Sequence, residues 1–420
     1  MFRVLLRSLL ALLLVAAAAL VGWRVLGPAE VLASVKPPYP ATLAHPPGPT
    51  GRLGPAPLIV GDTIRVYAGE RQVRADAPVD AKTVYTAIWS LRRWPSKLSG
   101  VVAAGDTVVS RWSDGDLIAL DGRTGKIVWR AAGPAAPDLT VTVTRTSSEA
   151  VWAPPGLHVA GPIVLVTQGN RAYAYDVGTG ARRWTAAACA DAFTTAGGQV
   201  VCPSAAYDAA TGAPVAGFPA GPYTPVACDV AASACAAFRD GAGHGWLTGA
   251  ATSSPSAAPT PVGRAPALGS APALGSAPAL GPAPALGPAP ALGPAPGVGP
   301  VPALGRAPAL DRPGSTVAGG LVFYPDAEGL HAVTATGKVV GSYPVGTLVL
   351  GTSAGRPVLL DAARTLTVGS RRFPLEYDGE GFGWTPGRWQ VTGRYVAVER
   401  LSSGEFQPYF TASPVVVAAL

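Results

Sequence analysis

Three aspartates share one spacing: Asp121, Asp176 and Asp208 each stand three residues before a threonine (Thr124, Thr179, Thr211) and four before a glycine (Gly125, Gly180, Gly212). Repeated carboxylates beside hydroxyls could ligate a cation or move a proton. The same residues also build a tight turn. There the Asp oxygen accepts from turn N–H groups, and the glycine takes the positive φ that a hairpin needs. The residues flanking the aspartates favour the turn. "LIALDGRTGKIVW" (Leu117–Trp129) and "AYAYDVGTGARRW" (Ala172–Trp184) both read x-x-A-x-D-x-x-T-G-x-x-x-W and stand 55 residues apart. A third copy, "AAYDAATGAPVAGF", keeps Asp208, Thr211 and Gly212 and ends on Phe218, and a fourth, "HAVTATGKVVGSY", keeps Thr336 and Gly337 but has no Asp and ends on Tyr343. We therefore expect these acids to be structural.

Other chemistry-bearing residues are few. Cys189, Cys202, Cys228 and Cys235 fall within one 47-residue window. In an exported chain this predicts two disulfides, and short-loop closure favours Cys189–Cys202 and Cys228–Cys235 among the three connectivities. There is no C-x-x-C, and His45, His158, His244 and His331 are scattered, so no metal site is expected. "GTSAG" (Gly351–Gly355) fits G-x-S-x-G, but "RPVLLD" after it predicts a strand where a nucleophile elbow needs a helix, so Ser353 is not expected to be catalytic. "GAGHG" (Gly241–Gly245) reads as a loop. The best ligand surface is "EYDGEGFGWTPGRW": acids Glu376, Asp378 and Glu380 beside Tyr377, Phe382, Trp384 and Trp389 could stack on sugars or peptides, or the segment could simply join two β units. "RWSDGD" (Arg111–Asp116) is a weaker case of the same kind.

The elements that must position these residues are strands. Short alternating runs such as "GVVAAGDTVVSRW", "PIVLVTQGNRAYAYD" and "RYVAVERL" are separated by Gly, Asp and Asn turns, in a chain of 420 residues with 52 Gly and 44 Pro. Repetition at this period predicts an all-β propeller of four-stranded blades. Candidate blades are 100–130, 157–184, 194–218, 222–248, 314–343, 346–375 and 388–418, giving seven. Thr63–Trp94 supplies further strands that either close the ring against "PVVVAAL" or make an eighth blade. Each tryptophan should fill the wedge between diverging blades, burying ~200 Å² of surface worth several kcal/mol.

The repeat resembles the PQQ-like, quinoprotein-type β-propeller repeat. The resemblance covers about Leu58 to Leu420 less a low-complexity insert. It rests on two good copies and two degenerate ones. That family includes PQQ-dependent alcohol dehydrogenases and non-enzymatic propellers, among them the scaffold lipoprotein of the outer-membrane assembly machine. The dehydrogenases carry an adjacent cysteine pair against the cofactor and an Asp beside Ca²⁺. Here the nearest cysteines are seven apart, so the resemblance implies the non-enzymatic branch, without cofactor. The excess of Arg (27) over Lys (5), with the richness in Ala, Pro and Gly, is similar to high-GC actinobacterial relatives.

Flanking segments speak to location. Val4–Trp23 is 20 residues long with Arg7 able to snorkel, and at ~1.5 Å per residue it would cross the ~30 Å hydrocarbon layer. Arg3 and Arg7 keep its start in the cytoplasm and Trp23 anchors the far interface. We expect residues 1–24 to be a signal-anchor, with a cleaved signal peptide as the alternative; both export the rest. With only Met1 and Phe2 ahead of it, a sensor role is not expected. Residues 25–57 read as a Pro-rich stalk, and 249–313 as a low-complexity insert leaving the ring between the fourth and fifth candidate blades; its Ala265–Arg312 stretch is eight hexads (APALGS through APALDR) that proline keeps from helix or sheet. The net charge is +7, of which Arg3, Arg7 and Arg24 supply three. The rest is dispersed and does not match a nucleic-acid footprint. The expectation is a membrane-anchored, extracytoplasmic scaffold binding a protein or envelope partner, with a quinoprotein oxidoreductase as the alternative.

Overall fold

Short strands joined by glycine turns pair into eight separate antiparallel sheets, each a blade. The computed structural model describes residues 7, 9–18, 22, 27–35, 45–79, 87–136, 146–230, 233–249, 304–375, 384–402 and 414–420. Two compact units divide the chain: Met1–Thr252 with Pro302–Leu420, and Ser253–Val301, the second lying outside the described residues. The first unit is an eight-bladed β-propeller, not the seven-bladed one expected. Thr63–Trp94 forms a blade of its own.

Blade 1 comprises Leu58–Val60, Ile64–Gly69, Gln72–Pro78 and Trp89–Trp94, with Ala29–Ala33 added as a fifth, outer strand. Blade 2 runs from Leu98–Ala104 to Ile127–Ala132, and blade 3 from Leu157–Ala160 to Arg182–Ala187. Blade 4 has three strands, Phe193–Thr194, Gln199–Cys202 and Ala205–Asp208. Blade 5 comprises Thr224–Val226, Ala237–Arg239, Gly245–Leu247 and Gly305–Arg306. Blade 6 runs from Thr316–Ala318 to Val339–Tyr343, and blade 7 from Leu348–Ser353 to Arg371–Pro374. Blade 8 comprises Trp384–Val391, Tyr395–Ser402 and Val415–Ala419, completed on its outside by Gly48–Leu53. The first strands of successive blades pack on one another, which sets them around the axis.

Three expectations are corrected by these strands. Residues 29–33 and 48–53 are not stalk: the first extends blade 1, and the second closes the ring as the outer strand of blade 8, Gly48 opposite Ala419 and Leu53 opposite Val415. Pro49 is tolerated because this is an edge strand, where a missing donor costs little. The insert leaves the ring between the third and fourth strands of blade 5, not between two blades, and it ends early. Residues 250–303 lie outside the described residues, but Gly305–Arg306 pairs with Trp246–Leu247, and Ala307 and Leu310 are fully buried. The signal-anchor is seen only as helix at residues 9–18, with its leucines exposed; among the described residues no helix is long and apolar enough to cross a membrane.

What holds successive blades is the repeat. Asp121 Oδ1 accepts from the N–H groups of Arg123 and Thr124 and from Thr124 Oγ1, at 2.8–3.0 Å. Asp176 and Asp208 hold their own turns in the same way, Asp176 through Gly178 and Thr179 and Asp208 through Thr211. The threonine Oγ1 then accepts from the N–H two residues on, pinning the far side of the turn. Each glycine is left-handed (φ 71, 72 and 73° at Gly125, Gly180 and Gly212) and presents a bare face to a ring from the preceding blade. Trp89 of blade 1 lies on Gly125, Trp129 of blade 2 on Gly180, and Trp184 of blade 3 on Gly212. The indoles also donate into those turns: Trp89 to Gly122 O (2.6 Å), Trp129 to Val177 O (2.6 Å) and Trp184 to Ala209 O (2.9 Å). Within its own blade each ring stands opposite a small residue, Ala75, Ala119 or Ala174, all fully buried.

The series stops after blade 4. Phe218 stacks on Phe238 of blade 5 at 4.9 Å, Tyr343 packs on Phe323 within blade 6 (6.2 Å), and nothing covers Gly337. The disulfide Cys189–Cys202 joins the end of blade 3 to blade 4, and Cys228–Cys235 closes the first hairpin of blade 5. At the ring seam the Gln390 amide pairs with both the N–H (2.8 Å) and the carbonyl (3.0 Å) of Ile59, standing in for a ladder between blades 8 and 1.

A methyl group on Gly180 would lie 2.5 Å from the Trp129 ring, on backbone at φ +72°. Gly180→Ala should therefore lower stability by about 2–4 kcal/mol in urea unfolding. Gly337→Ala, facing open space, should cost only about 1 kcal/mol, the left-handed backbone strain alone.

Candidate functional site

The inner strands of blades 6, 7 and 8 contribute Thr316, Val317, Val349–Thr352 and Gly387–Val391 to one wall of a cavity of about 680 Å³ on the axis. The segment between the first two strands of blade 5 adds Ala227, Cys228, Asp229, Val230, Ala234 and Ala236, and the helix Ser148–Trp152, between blades 2 and 3, adds Trp152. The sequence "ACDVAASAC" explains the loop. Cys228 and Cys235 clamp its ends, and the flanking Ala227 and Ala234 hold left-handed backbone (φ 52 and 46°), a strain the clamp sustains. The loop is further fastened to its neighbours: Cys235 N–H donates to Thr194 O (2.8 Å), and Ser233 Oγ accepts from Val159 N–H (2.9 Å).

Asp229 sits in this loop, exposed to solvent, and lines the cavity. Surrounding protein takes part of the carboxyl's hydration and pushes it up to about 7, against a smaller opposing pull from the nearby Ser233 backbone. Arg388 also lines the cavity, exposed, and among the described residues its guanidinium has a single long approach of 3.5 Å from Nη1 to Ser148 Oγ. Its backbone N–H donates to Glu399 Oε2 (3.1 Å), and Glu399, buried, also accepts from Thr146 and Ser148 hydroxyls, tying helix and blade 8 together. Trp389 Nε1 donates to Leu350 O (2.7 Å) and Trp152 Nε1 to Pro57 O (2.9 Å), so both indoles are fixed and offer carbon surface.

The residues singled out from sequence fall elsewhere or in supporting roles. Asp121, Asp176 and Asp208 are spent in their turns, and Arg183 pairs with Asp176 at 2.6 Å, holding that carboxyl below its usual range despite partial burial. Glu376, Tyr377, Asp378, Glu380 and Phe382 lie outside the described residues. Trp384 is buried between blades 7 and 8 under the Arg364 guanidinium (5.2 Å), which makes it packing and not ligand surface. Of the described residues of that group, Trp389 reaches the cavity. In "RWSDGD", Asp114 and Asp116 pair with Arg93 (3.1 and 2.6 Å), and Arg111, fully buried, donates to the carbonyls of Gly156, Thr167, Pro134 and Ala135. Burial lowers its guanidinium to about 10. Ser353 ends a strand, donates to Gly393 O (2.7 Å), and is followed by a turn and another strand. Among the described residues no three His, Cys, Asp or Glu side chains converge as a metal would require. Cys228, on the cavity wall, is bonded to Cys235, and the two are separated by six residues rather than adjacent; Asp229 is the one carboxylate among the described lining residues.

No family model matches the chain, and no curated protein matches it. Solved structures similar to it include BamB from Moraxella catarrhalis, at 15% identity and TM-score 0.40, covering 93% of this chain and 99% of that one. A europium-containing methanol dehydrogenase is similar at 13% identity and TM-score 0.39, covering 92% and 93%. No residue role is carried over from either.

Sequence reasoning passed over Trp89, Asp229 and Arg388. Trp89 has no Asp-x-x-Thr-Gly in its own blade to flag it. Asp229 carried one readable signal, an acid one residue inside a disulfide-closed loop.

Asp229 is neutral below pH ~4 whether folded or not. As pH rises from about 4 to about 7 the unfolded chain ionises first, so folding loses free energy over that window and carries the full penalty above it. Asp229→Asn should therefore raise the Tm at pH 8, with the gain shrinking to nothing near pH 4, as thermal unfolding at both pH values will read.

Proposed function

We propose that this protein is an exported β-propeller, held at the cell membrane by its N-terminal apolar segment, that binds a protein or cell-envelope component and catalyses no reaction. The observation that carries this reading is the fate of the repeated acids. Each motif carboxylate is saturated by its own turn, and each motif tryptophan serves the next blade, so the residues with catalytic potential are used up in building the ring. Two disulfides suit an oxidising compartment outside the cytosol. The exposed leucines at residues 9–18 call for lipid around them. Kinship with the non-enzymatic branch of PQQ-like propellers belongs to the same proposal.

In membrane fractionation the full chain should pellet with membranes and resist alkaline extraction, and deletion of residues 1–24 should release it. In-cell crosslinking followed by mass spectrometry should recover a recurrent envelope partner. Recovery of the full chain in the soluble fraction would overturn the anchoring, and Ca²⁺-dependent quinone binding with dye reduction by an alcohol would overturn the non-enzymatic reading.

A further inference from the structure

Two charges of opposite sign face the axial cavity with little to satisfy them. Asp229 is offered by a loop that a disulfide, two left-handed alanines and hydrogen bonds to blades 3 and 4 hold in place. Its backbone N–H donates to Ser233 O (3.0 Å), which fixes the residue within the loop. Arg388 stands on the inner strand of blade 8, and among the described residues its guanidinium has only the 3.5 Å approach to Ser148. Neither side chain is in an ion pair among the described residues. The lining is mixed and includes the side chains of Trp152, Trp389, Val317 and Leu350. Both side chains are exposed to the open cavity, and a ligand that pairs with both gains charge-assisted hydrogen bonds at each end. A ligand with one charge cannot do this. A monocation leaves Arg388 unpaired and is repelled by it, and a monocarboxylate meets the same difficulty at Asp229.

We infer that the axial cavity takes a small zwitterion, an ω-amino acid or a short peptide of similar span, with its ammonium on Asp229, its carboxylate on Arg388 and its carbon chain against Trp389. The volume, about 680 Å³, is that of an ordinary small-molecule site. The inference rests on the binding-module reading and adds a ligand class to it. Its test uses neither the membrane nor the macromolecular partner, so the two readings can fail separately.

The full chain in detergent is titrated calorimetrically at pH 8 with 4-aminobutanoate, 6-aminohexanoate and 8-aminooctanoate, and with hexylamine and hexanoate as one-ended controls. At least one ω-amino acid should bind at least about tenfold more tightly than either control. Asp229→Asn and Arg388→Gln should each remove that advantage, while Arg388→Lys, which keeps the charge, should retain part of it. Far-UV circular dichroism shows that each variant is folded, and Arg388→Gln leaves the backbone bond to Glu399 in place. No ω-amino acid binding better than the controls, or folded Asp229→Asn and Arg388→Gln variants binding like the parent, would overturn the inference.

Discussion

The ring depends on an indole of one blade lying flat on a glycine in the turn of the next. This contact combines three requirements. The ring needs a surface without a side chain, which the left-handed glycine supplies. The turn needs to be rigid enough to receive it, which the aspartate and threonine arrange by closing every local N–H. The tryptophan needs space behind it, which the buried alanine opposite provides. Changing any one of the three spoils the other two, so the motif is a single device distributed over two blades. Burial of the indole supplies energy without direction; its N–H bond into the turn fixes the blade-to-blade register.

The device operates from blade 1 to blade 4 and then gives way to other solutions. An aromatic cluster of Phe218, Tyr223 and Phe238 joins blades 4 and 5. Blade 5 tolerates a long insertion between its third and fourth strands, because both ends of the excursion are anchored: Gly245–Leu247 on one side, Gly305–Arg306 with buried Leu310 on the other. Closure is by exchange, as Gly48–Leu53 completes blade 8 and the Gln390 amide bonds Ile59. The described strands from Gly48 to Ala419 are thereby closed into one ring. The stapled half gives a stiff frame, and the axial cavity lies against the other half, where blades 6 to 8 offer their inner strands and blade 5 its cross-linked loop.

The propeller class and most of its blades were legible because the spacing of Asp, Thr, Gly and Trp is local and repeats. The blade count was not. Ala29–Ala33 and Gly48–Leu53 are edge strands with one partner each, and edge strands need neither alternation nor freedom from proline. They therefore look like the proline-rich sequence around them. The end of the insert was hidden for the opposite reason: residues 304–312 keep the hexad composition, and only tertiary contacts bury Leu310. The direction of the tryptophan contact could not be read from spacing, since a residue eight after an aspartate is as easily imagined against its own turn. The cavity was beyond sequence reading altogether, because Asp229 and Arg388 meet only when the ring closes. Conversely, Trp384 had the composition of a binding surface and proves to be packing.

A double-mutant cycle tests the central contact most directly. Trp129→Ala is combined with Asp176→Ala, which loosens the turn of the following blade, and separately with Asp121→Ala, which loosens the turn of its own blade; stabilities are measured by urea unfolding. The structure predicts a coupling of about 1 kcal/mol or more between Trp129 and Asp176, and coupling within about 0.5 kcal/mol of zero between Trp129 and Asp121. The reverse pattern, or no coupling in either pair, would contradict a ring held by each tryptophan on its neighbour's turn.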